Sequence, residues 1–406
     1  MVLNFKEARL SSVTTLITKG ATPTTYGHDF TDENEDAILF LGAFNCSIEG
    51  RIKLDKKKWI SKEADKSIKR SRLQKNDSLF CIVGNTIGNS CLIEEKVVPA
   101  NINQNVALIR PNFKKLNPQF LSYNLRSSRI QWTVIQEAST QAQPSLSLKQ
   151  VGDFSIPLPP LSEQKKIAKI LSIWDEAIVT TEQLLANSQQ QKKALMQQLL
   201  TGKKRFPGFA EWKTVKLKSF MTESRVPGSS GDVAKKITVK LYGQGVLAKD
   251  EKRLGSESTK YYKRSAGQFI YSKLDFLNGA FGIVPSELDG YESTLDLPAF
   301  DLNSKVDSSW LINFVSRESF YKSNIGLANG GRKARRVNPK DLLNLKINAP
   351  SLEEQKAIAA ALNTADAEIA TLQQKLDRLK QEKKALMQQL LTGKRRVKVD
   401  KEAATA

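Results

Sequence analysis

The segment Gly330-Gly331-Arg332-Lys333-Ala334-Arg335-Arg336 sets four cations within five residues of a glycine-led loop, and 191 residues earlier stands Ser139-Thr140-Gln141-Ala142-Gln143, a loop of hydroxyls and amides. Both kinds of side chain can read a base edge. A guanidinium forks onto the paired acceptors of guanine, whereas a primary amide matches the donor and acceptor of adenine, and small neighbours permit the close approach that either contact needs. The candidate nucleic-acid contacts are therefore Thr140, Gln141 and Gln143 in the first loop and Gly331, Arg332, Lys333, Arg335 and Arg336 in the second. Gln244 and Lys273 join them, because Tyr242-Gly243-Gln244-Gly245 and Tyr271-Ser272-Lys273 mix ring, amide and cation near turns, although tyrosines in such strings more often pack half-buried. The competing reading is that the cations grip phosphates alone and the amide loop is only solvated, since half to two-thirds of protein–DNA hydrogen bonds go to the backbone. Lys56-Lys57-Lys58 and the run from Lys66 to Arg72 read as phosphate contacts or solvated charge.

Catalytic chemistry has little to work with. The sole histidine, His28, rules out His-rich metal sites and most His-activated nucleophiles. Gly84-Asn85-Thr86-Ile87-Gly88-Asn89-Ser90 has the glycines of a phosphate loop but not its lysine. Neither a glycine-rich strand-to-helix turn for a dinucleotide or adenosylmethionine nor an Asn-Pro-Pro-aromatic motif for an exocyclic amine occurs. The acidic run from Asp29 to Asp36 reads as a solvated loop rather than a Mg²⁺ site. Cys46, Cys81 and Cys91 lack metal-ligand spacing and fit reduced, partly buried thiols. No catalytic residue, metal or cofactor is expected. With 63 Lys and Arg against 42 Asp and Glu, the net charge is +21 and the pI about 9.7, so a polyanion is the expected partner, nucleic acid ahead of an anionic membrane. The charged start MVLNFKEARLSS is unlike a signal peptide and no run is long enough for a bilayer, which predicts a cytoplasmic protein.

The elements that would position these loops are set by a repeat. Lys192 to Lys203, KKALMQQLLTGK, returns letter for letter at Lys383 to Lys394, and Leu161-Ser162-Glu163-Gln164-Lys165 stands the same 191 residues before Leu352-Glu353-Glu354-Gln355-Lys356. Each pair of landmarks encloses a helix. In the second copy Leu362, Ala365, Ile369, Leu372, Leu376, Leu379, Lys383, Leu386 and Leu390 alternate steps of three and four, a heptad seam. The first carries Leu171, Trp174, Ile178, Thr181, Leu185, Ser188, Lys192, Leu195 and Leu199 in the same register. So narrow and long a stripe, up to about 60 Å at 1.5 Å per residue, calls for another helix, and the chain encodes one. Ser351 with Glu354 predicts a capping box, and Gly202 and Gly393 predict the stops.

Before each helix lies a globular stretch. Strands are predicted over Ala37 to Phe44, Ser78 to Val83, Asn105 to Ile109 and Phe154 to Leu158, and a helix over Pro118 to Gln131 with Phe120, Leu121, Leu125 and Ile130 near one face. Asn76 to Phe80 falls 191 residues before Gly267 to Tyr271, and Gln119 to Tyr123 the same distance before Trp310 to Phe314. At the front, Phe5 and Leu10 match Trp212 and Leu217 at 207, which gives the first half sixteen extra residues, placed around the basic segment Lys53 to Arg72. The domains read as 1–158, 159–205 (first helix), 206–349, 350–397 (second helix) and a tail, 398–406. The helices repeat almost verbatim while the globular parts keep only pattern, so the helices share one job, such as presenting one surface twice to identical partners, and the globular parts diverged to bind two different things.

This layout closely resembles the specificity subunits of type I restriction-modification enzymes. Pro159-Pro160-Leu161-Ser162-Glu163-Gln164, Pro350-Ser351-Leu352-Glu353-Glu354-Gln355, Phe206-Pro207-Gly208-Phe209 and Asn278-Gly279-Ala280-Phe281-Gly282-Ile283-Val284 match that family's region boundaries, and the likeness spans essentially the whole chain. The resemblance implies two α/β target recognition domains, each for half of a bipartite, asymmetric site on double-stranded DNA, separated by two long helices paired as an antiparallel coiled coil with a pseudo-twofold internal repeat. It implies a noncatalytic subunit binding two adenine-methylating modification subunits and, through them, two restriction and translocase subunits. The rival reading, a coiled-coil scaffold holding nucleic acid without sequence preference, explains charge and helices but not why the globular halves diverged within one frame.

Overall fold

A computed structural model describes residues 5–138, 144–250, 255–329 and 335–398. The first half runs β1 (Glu7–Arg9), α1 (Leu10–Val13), β2 (Thr14–Lys19), β3 (Phe30–Thr31), β4 (Ile38–Leu41), β5 (Lys58–Ile60), α2 (Lys62–Ser67), β6 (Ser78–Cys81), β7 (Ser90–Leu92), β8 (Ala100–Ile102), β9 (Val106–Pro111), α3 (Pro118–Leu125), α4 (Ser128–Ala138), α5 (Leu148–Asp153), β10 (Ser155–Pro157) and the long helix α6 (Leu161–Leu199). The second runs β11 (Lys213–Lys216), β12 (Met221–Ser224), β13 (Pro227–Ser230), β14 (Ile237–Val239), β15 (Val246–Ala248), β16 (Lys260–Lys263), β17 (Phe269–Tyr271), β18 (Phe281–Ile283), β19 (Glu292–Ser293), β20 (Ala299–Leu302), α7 (Ser308–Val315), α8 (Glu318–Ser323), β21 (Ala328–Asn329), β22 (Arg336–Val337), α9 (Pro339–Asn344), β23 (Lys346–Ala349) and the long helix α10 (Leu352–Leu390). Compact units do not end where the long helices do. One comprises Met1–Thr181 with Lys375–Ala406, the other Glu182–Gln374.

In the first unit a sheet of order β2-β9-β6-β7 has its central strands β9 and β6 buried on both faces. Side chains alternate along a strand, so Phe80, Ile82, Ala107 and Ile109 join α3 and α4 in one core, while Leu79, Cys81, Val106 and Leu108 meet Leu41 and Ile102 of the second sheet, β3-β5-β4-β8. The single helix expected over Pro118 to Gln131 breaks at Arg126 and Ser127 into α3 and α4, yet Phe120, Leu121, Leu125 and Ile130 are all buried. The extra residues of this half supply α2 and their own counter-charges. Lys57 lies 3.7 Å from Glu33, Lys62 pairs with Asp36, and Arg72 with Asp65 at 2.5 Å, while the carboxylates from Asp32 to Asp36 stay exposed.

The second unit repeats that central sheet as β12-β20-β17-β18, with an aromatic core of Phe269, Tyr271, Phe276, Phe281, Phe300 and Trp310 on one side. Ile270 and Ala299 point the other way, onto the β14–β15 ladder. The frame slip at the front is visible in the backbone: Leu10 donates to the Phe154 carbonyl at 2.9 Å, and Leu217 to that of Leu345 at 3.0 Å. One expected correspondence shifts by a residue. Helices α3 and α7 begin at N-caps Asn117 and Asp307, 190 apart, so Phe120 rather than Gln119 is the counterpart of Trp310. A turn one residue shorter before α7 accounts for it. The α/β expectation holds as a mixture of helix and strand, but among the named strands pairing is antiparallel except between β4 and β8.

Each unit also contains a meeting of the two long helices, with the roles exchanged. In the first, Lys383 of α10 donates to Asp175 of α6, and the buried Glu163 takes Arg396 at 2.8 and 2.6 Å. In the second, Lys192 of α6 donates to Asp366 of α10 at 2.5 Å, Ser188 to Glu368 at 3.0 Å, and the fully buried Glu354 takes Arg205 at 3.1 and 2.9 Å. Adding 191 turns Glu163, Asp175, Lys192 and Arg205 into Glu354, Asp366, Lys383 and Arg396, so one contact set is built twice. Of the seam positions, Leu171, Ile178, Leu185, Leu199, Leu362, Leu376 and Leu390 are buried, while Trp174, Leu195, Ile369, Leu372, Leu379 and Leu386 are half-buried. Gly202 and Gly393 end the helices at φ 72° and 77°, the left-handed stop. The capping box is only half made: Ser351 Oγ accepts from the Glu354 N–H at 3.4 Å, but the Glu354 carboxylate is committed to Arg205 and to Trp212 Nε1 at 3.0 Å.

Candidate nucleic-acid interface

In the second unit the connection between β17 and β18, residues 272–280, is the hub around which several candidate residues gather. On one side the Val337 N–H donates to the Lys273 carbonyl at 3.1 Å, so β22, which carries Arg336, lies against Lys273. On the other side Tyr242 and Gly243 donate to the carbonyls of Asn278 and Gly279 at 2.9 and 2.8 Å, which brings in the turn that holds Gln244. Lys273 is half-buried; Gln244, Arg335 and Arg336 are exposed. Arg336 Nε lies 3.5 Å from Asp296, and the Asp296 carbonyl accepts from the Lys273 N–H at 2.9 Å, so one short segment braces both cationic residues. Strands β21 and β22 pair in register, Ala328 with Val337 and Asn329 with Arg336, on either side of the cation-rich segment. Gly331, Arg332 and Lys333 lie outside the described residues.

The two tyrosines part company. Tyr271 is fully buried, donating to the Val337 carbonyl at 2.8 Å, and burial holds its phenol well above the usual range. Tyr242 is 68% exposed at φ 56°.

The first unit repeats one side of this arrangement. The β6–β7 connection, residues 82–89, is an ordinary hairpin turn, not a strand-to-helix phosphate loop. It receives Leu146 N–H at the Ile82 carbonyl, 2.8 Å, and gives Gly84 N–H to the Pro144 carbonyl, 2.9 Å, matching Val337 on Lys273. Thr140, Gln141 and Gln143 themselves lie outside the described residues. The opposite flank is the turn around Ser47, whose carbonyl accepts from the Ser90 N–H at 3.2 Å. The thiols of Cys46, Cys81 and Cys91 are buried beneath it, with the Cys46 and Cys91 sulfurs 3.4 Å apart. Among the described residues no three His, Cys, Asp or Glu side chains converge as a metal site, and no helix is long and apolar enough to cross a membrane.

The frame and its loops therefore occur twice, with amides and hydroxyls in one copy and cations in the other. A family model described as the type I restriction modification DNA specificity domain matches residues 4–187 and again 210–381. The chain belongs to this family. The specificity subunit is 28% identical over 403 residues to the MjaX specificity subunit assigned to a type I restriction enzyme of Methanocaldococcus jannaschii, covering 90% of this chain and 89% of that one. Over 183 residues, 45% of this chain and 38% of the relative, it is 32% identical to the EcoBI specificity subunit of Escherichia coli. In fold it is similar to the crystal structure of the HsdS subunit from Thermoanaerobacter tengcongensis, with a TM-score of 0.54 at 19% identity over 97% of this chain and 98% of the other.

Sequence reasoning used the Ser-Glu-Gln and Glu-Glu-Gln strings of the specificity subunit only as landmarks and missed what their side chains do. Gln164 accepts from the Asn117 N–H at 2.9 Å and donates to the carbonyls of Lys115 and Pro159. Gln355 does the same with Asp307, Lys305 and Pro350. Each amide thus ties the start of a long helix to the N-cap of α3 or α7. The signal was the exact return of Glu-Gln at 191 residues, which a mere landmark would not require.

Proposed function

We propose that this chain is the noncatalytic DNA-recognition subunit of a cytoplasmic type I restriction-modification complex. Each unit reads one half of a bipartite, asymmetric site on double-stranded DNA, and two modification subunits and two restriction and translocase subunits carry out adenine methylation and cleavage at its direction. The two long helices form an antiparallel coiled coil with a pseudo-twofold relation between the halves and act as the spacer. Candidate base-reading groups are Thr140, Gln141 and Gln143 in the first half and Gln244, Lys273, Gly331, Arg332, Lys333, Arg335 and Arg336 in the second.

The observation that supports this reading is the contrast between what is repeated and what is not. The helix contacts, Glu163 with Arg396 and Glu354 with Arg205, are duplicated pair for pair, as two identical partner subunits would require. The loops on the matched hairpin connections share a frame but not a chemistry, as two unlike half-sites would require. Mapping methylated adenines in a genome that expresses this chain with its modification subunits tests the proposal. A split recognition sequence with unlike halves is expected; methylation without a consensus would leave only the nonspecific scaffold.

A further inference from the structure

We propose that Tyr242 is a specificity-determining residue of the second unit, its exposed ring packing against base edges in the half-site that unit reads; the inference rests on the function proposed above. Tyr242 sits in the left-handed region at φ 56°, a conformation that strains an L side chain and that glycine or asparagine adopts with less cost. The other non-glycine residue there among those described is Asn76, of the tolerant type. A tyrosine in such a place needs a reason, and strain held by surrounding structure concentrates at functional positions. Burial does not supply the reason, because the ring is 68% exposed. The backbone beneath it is nonetheless fixed by the hydrogen bonds of Tyr242 and Gly243 to Asn278 and Gly279, on the same connection that bears Lys273. A rigid ring on a pinned turn loses little entropy on contact and offers an apolar face suited to a base edge such as the thymine methyl.

The first unit has a comparable turn. A Cβ on Gly243 would lie 3.1 Å from Oγ of Ser316, the C-cap of α7, and one on Gly50 would lie 2.5 Å from Nε of Arg126, the C-cap of α3. The two turns therefore dock at the same place in the frame. Ile48, two residues before Gly50, is 67% exposed, and Tyr242, one residue before Gly243, is 68% exposed, so each turn holds out an apolar side chain but of a different type and at a different step. A surface presented twice to identical protein partners would keep one residue type, as the long helices do. A surface that reads two different half-sites would not.

The test uses the complete complex with its modification subunits, once the methylated site is known, and measures affinity for DNA carrying every single-base change in both half-sites. Tyr242→Gly relieves the left-handed strain, so its melting temperature should be held or raised. Its discrimination should fall about tenfold at one base pair of the second half-site and not change in the first, while Tyr242→Phe keeps most of it. Unchanged discrimination at every position in a stable Tyr242→Gly complex overturns the inference. Uniform weakening on all sequences also overturns it, making the ring a backbone contact, and so does loss of a modification subunit with base preference intact, which assigns the ring to a protein partner. A parent complex without sequence preference would instead sink the proposed function itself, and the inference with it.

Discussion

Gln164 and Gln355 are almost wholly buried, and each satisfies one backbone N–H and two backbone carbonyls at a junction where they would otherwise lack partners. Truncating one exposes that dependence. Gln355→Ala should cost the second unit about 1–3 kcal/mol, the penalty for buried groups left unpaired, and hydrogen exchange should quicken around Asp307 and Trp310 while the first unit is unaffected. Equal quickening in both units would show that the amide is not a local tie. At the recognition loops the expectation is chemical. Arg332→Ala should relax preference at one base pair of the second half-site by about 1–3 kcal/mol, whereas Lys333→Ala, as a phosphate contact, should weaken all sequences alike and lower the salt slope by about one counterion. Titration of a single-base panel at two salt concentrations separates them; uniform loss from both would move base reading to the turns around Gln244 and Lys273. In the sequence a cation cluster led by glycines stands out, though Arg332 and Lys333 lie outside the described residues. The exposure of Tyr242 does not, since nothing in Tyr-Gly-Gln-Gly distinguishes a ring tucked under a turn from one standing above it.

At the scale of elements, strand positions could be read because buried β6 and β9 are apolar runs bounded by turn residues, as the burial of every residue from Ser78 to Cys81 explains. The break between α3 and α4 had a signal that the expectation of one helix missed: Ser127 caps α4, its Oγ accepting from the Ile130 N–H at 3.4 Å, while Arg126 stacks over Tyr123, 4.6 Å from its ring centre, and donates to the Glu49 carbonyl. The half-made capping box reflects a tertiary partner outbidding a local one. For the long helices the seam makes a direct prediction. Leu376 is 5% exposed in the first unit, so Leu376→Asp buries an unpaired carboxylate and should cost about 4 kcal/mol or more, seen as a large drop in the denaturation midpoint. A variant that keeps its midpoint and partner binding would show that the seam lies elsewhere.

For the whole molecule, the proposal separates what is read from how far apart it is read. Exchanging residues 1–158 for those of another family member should replace one half-site and leave the other half and the spacing alone. Inserting four residues among those numbered in the 370s lengthens a helix by about 6 Å and should change the spacing while both half-sites persist. Methylome mapping decides each case, and an insertion that altered the bases read would contradict the division of labour. The division into two units also bears on how the chain comes into being. The first unit is discontinuous: Leu390 and Leu391 lie in one core with Phe5 and Ile156, and Arg396 seals Glu163. The second, Glu182–Gln374, is a single uninterrupted span. During synthesis the first unit is expected to wait for residues from 375 onward, while the second can close as soon as residue 374 has emerged. A nascent chain stalled after residue 374 and treated with protease should yield a resistant fragment from the second half and none from the first. Equal resistance of both would mean that the N-terminal half matures without its distant complement.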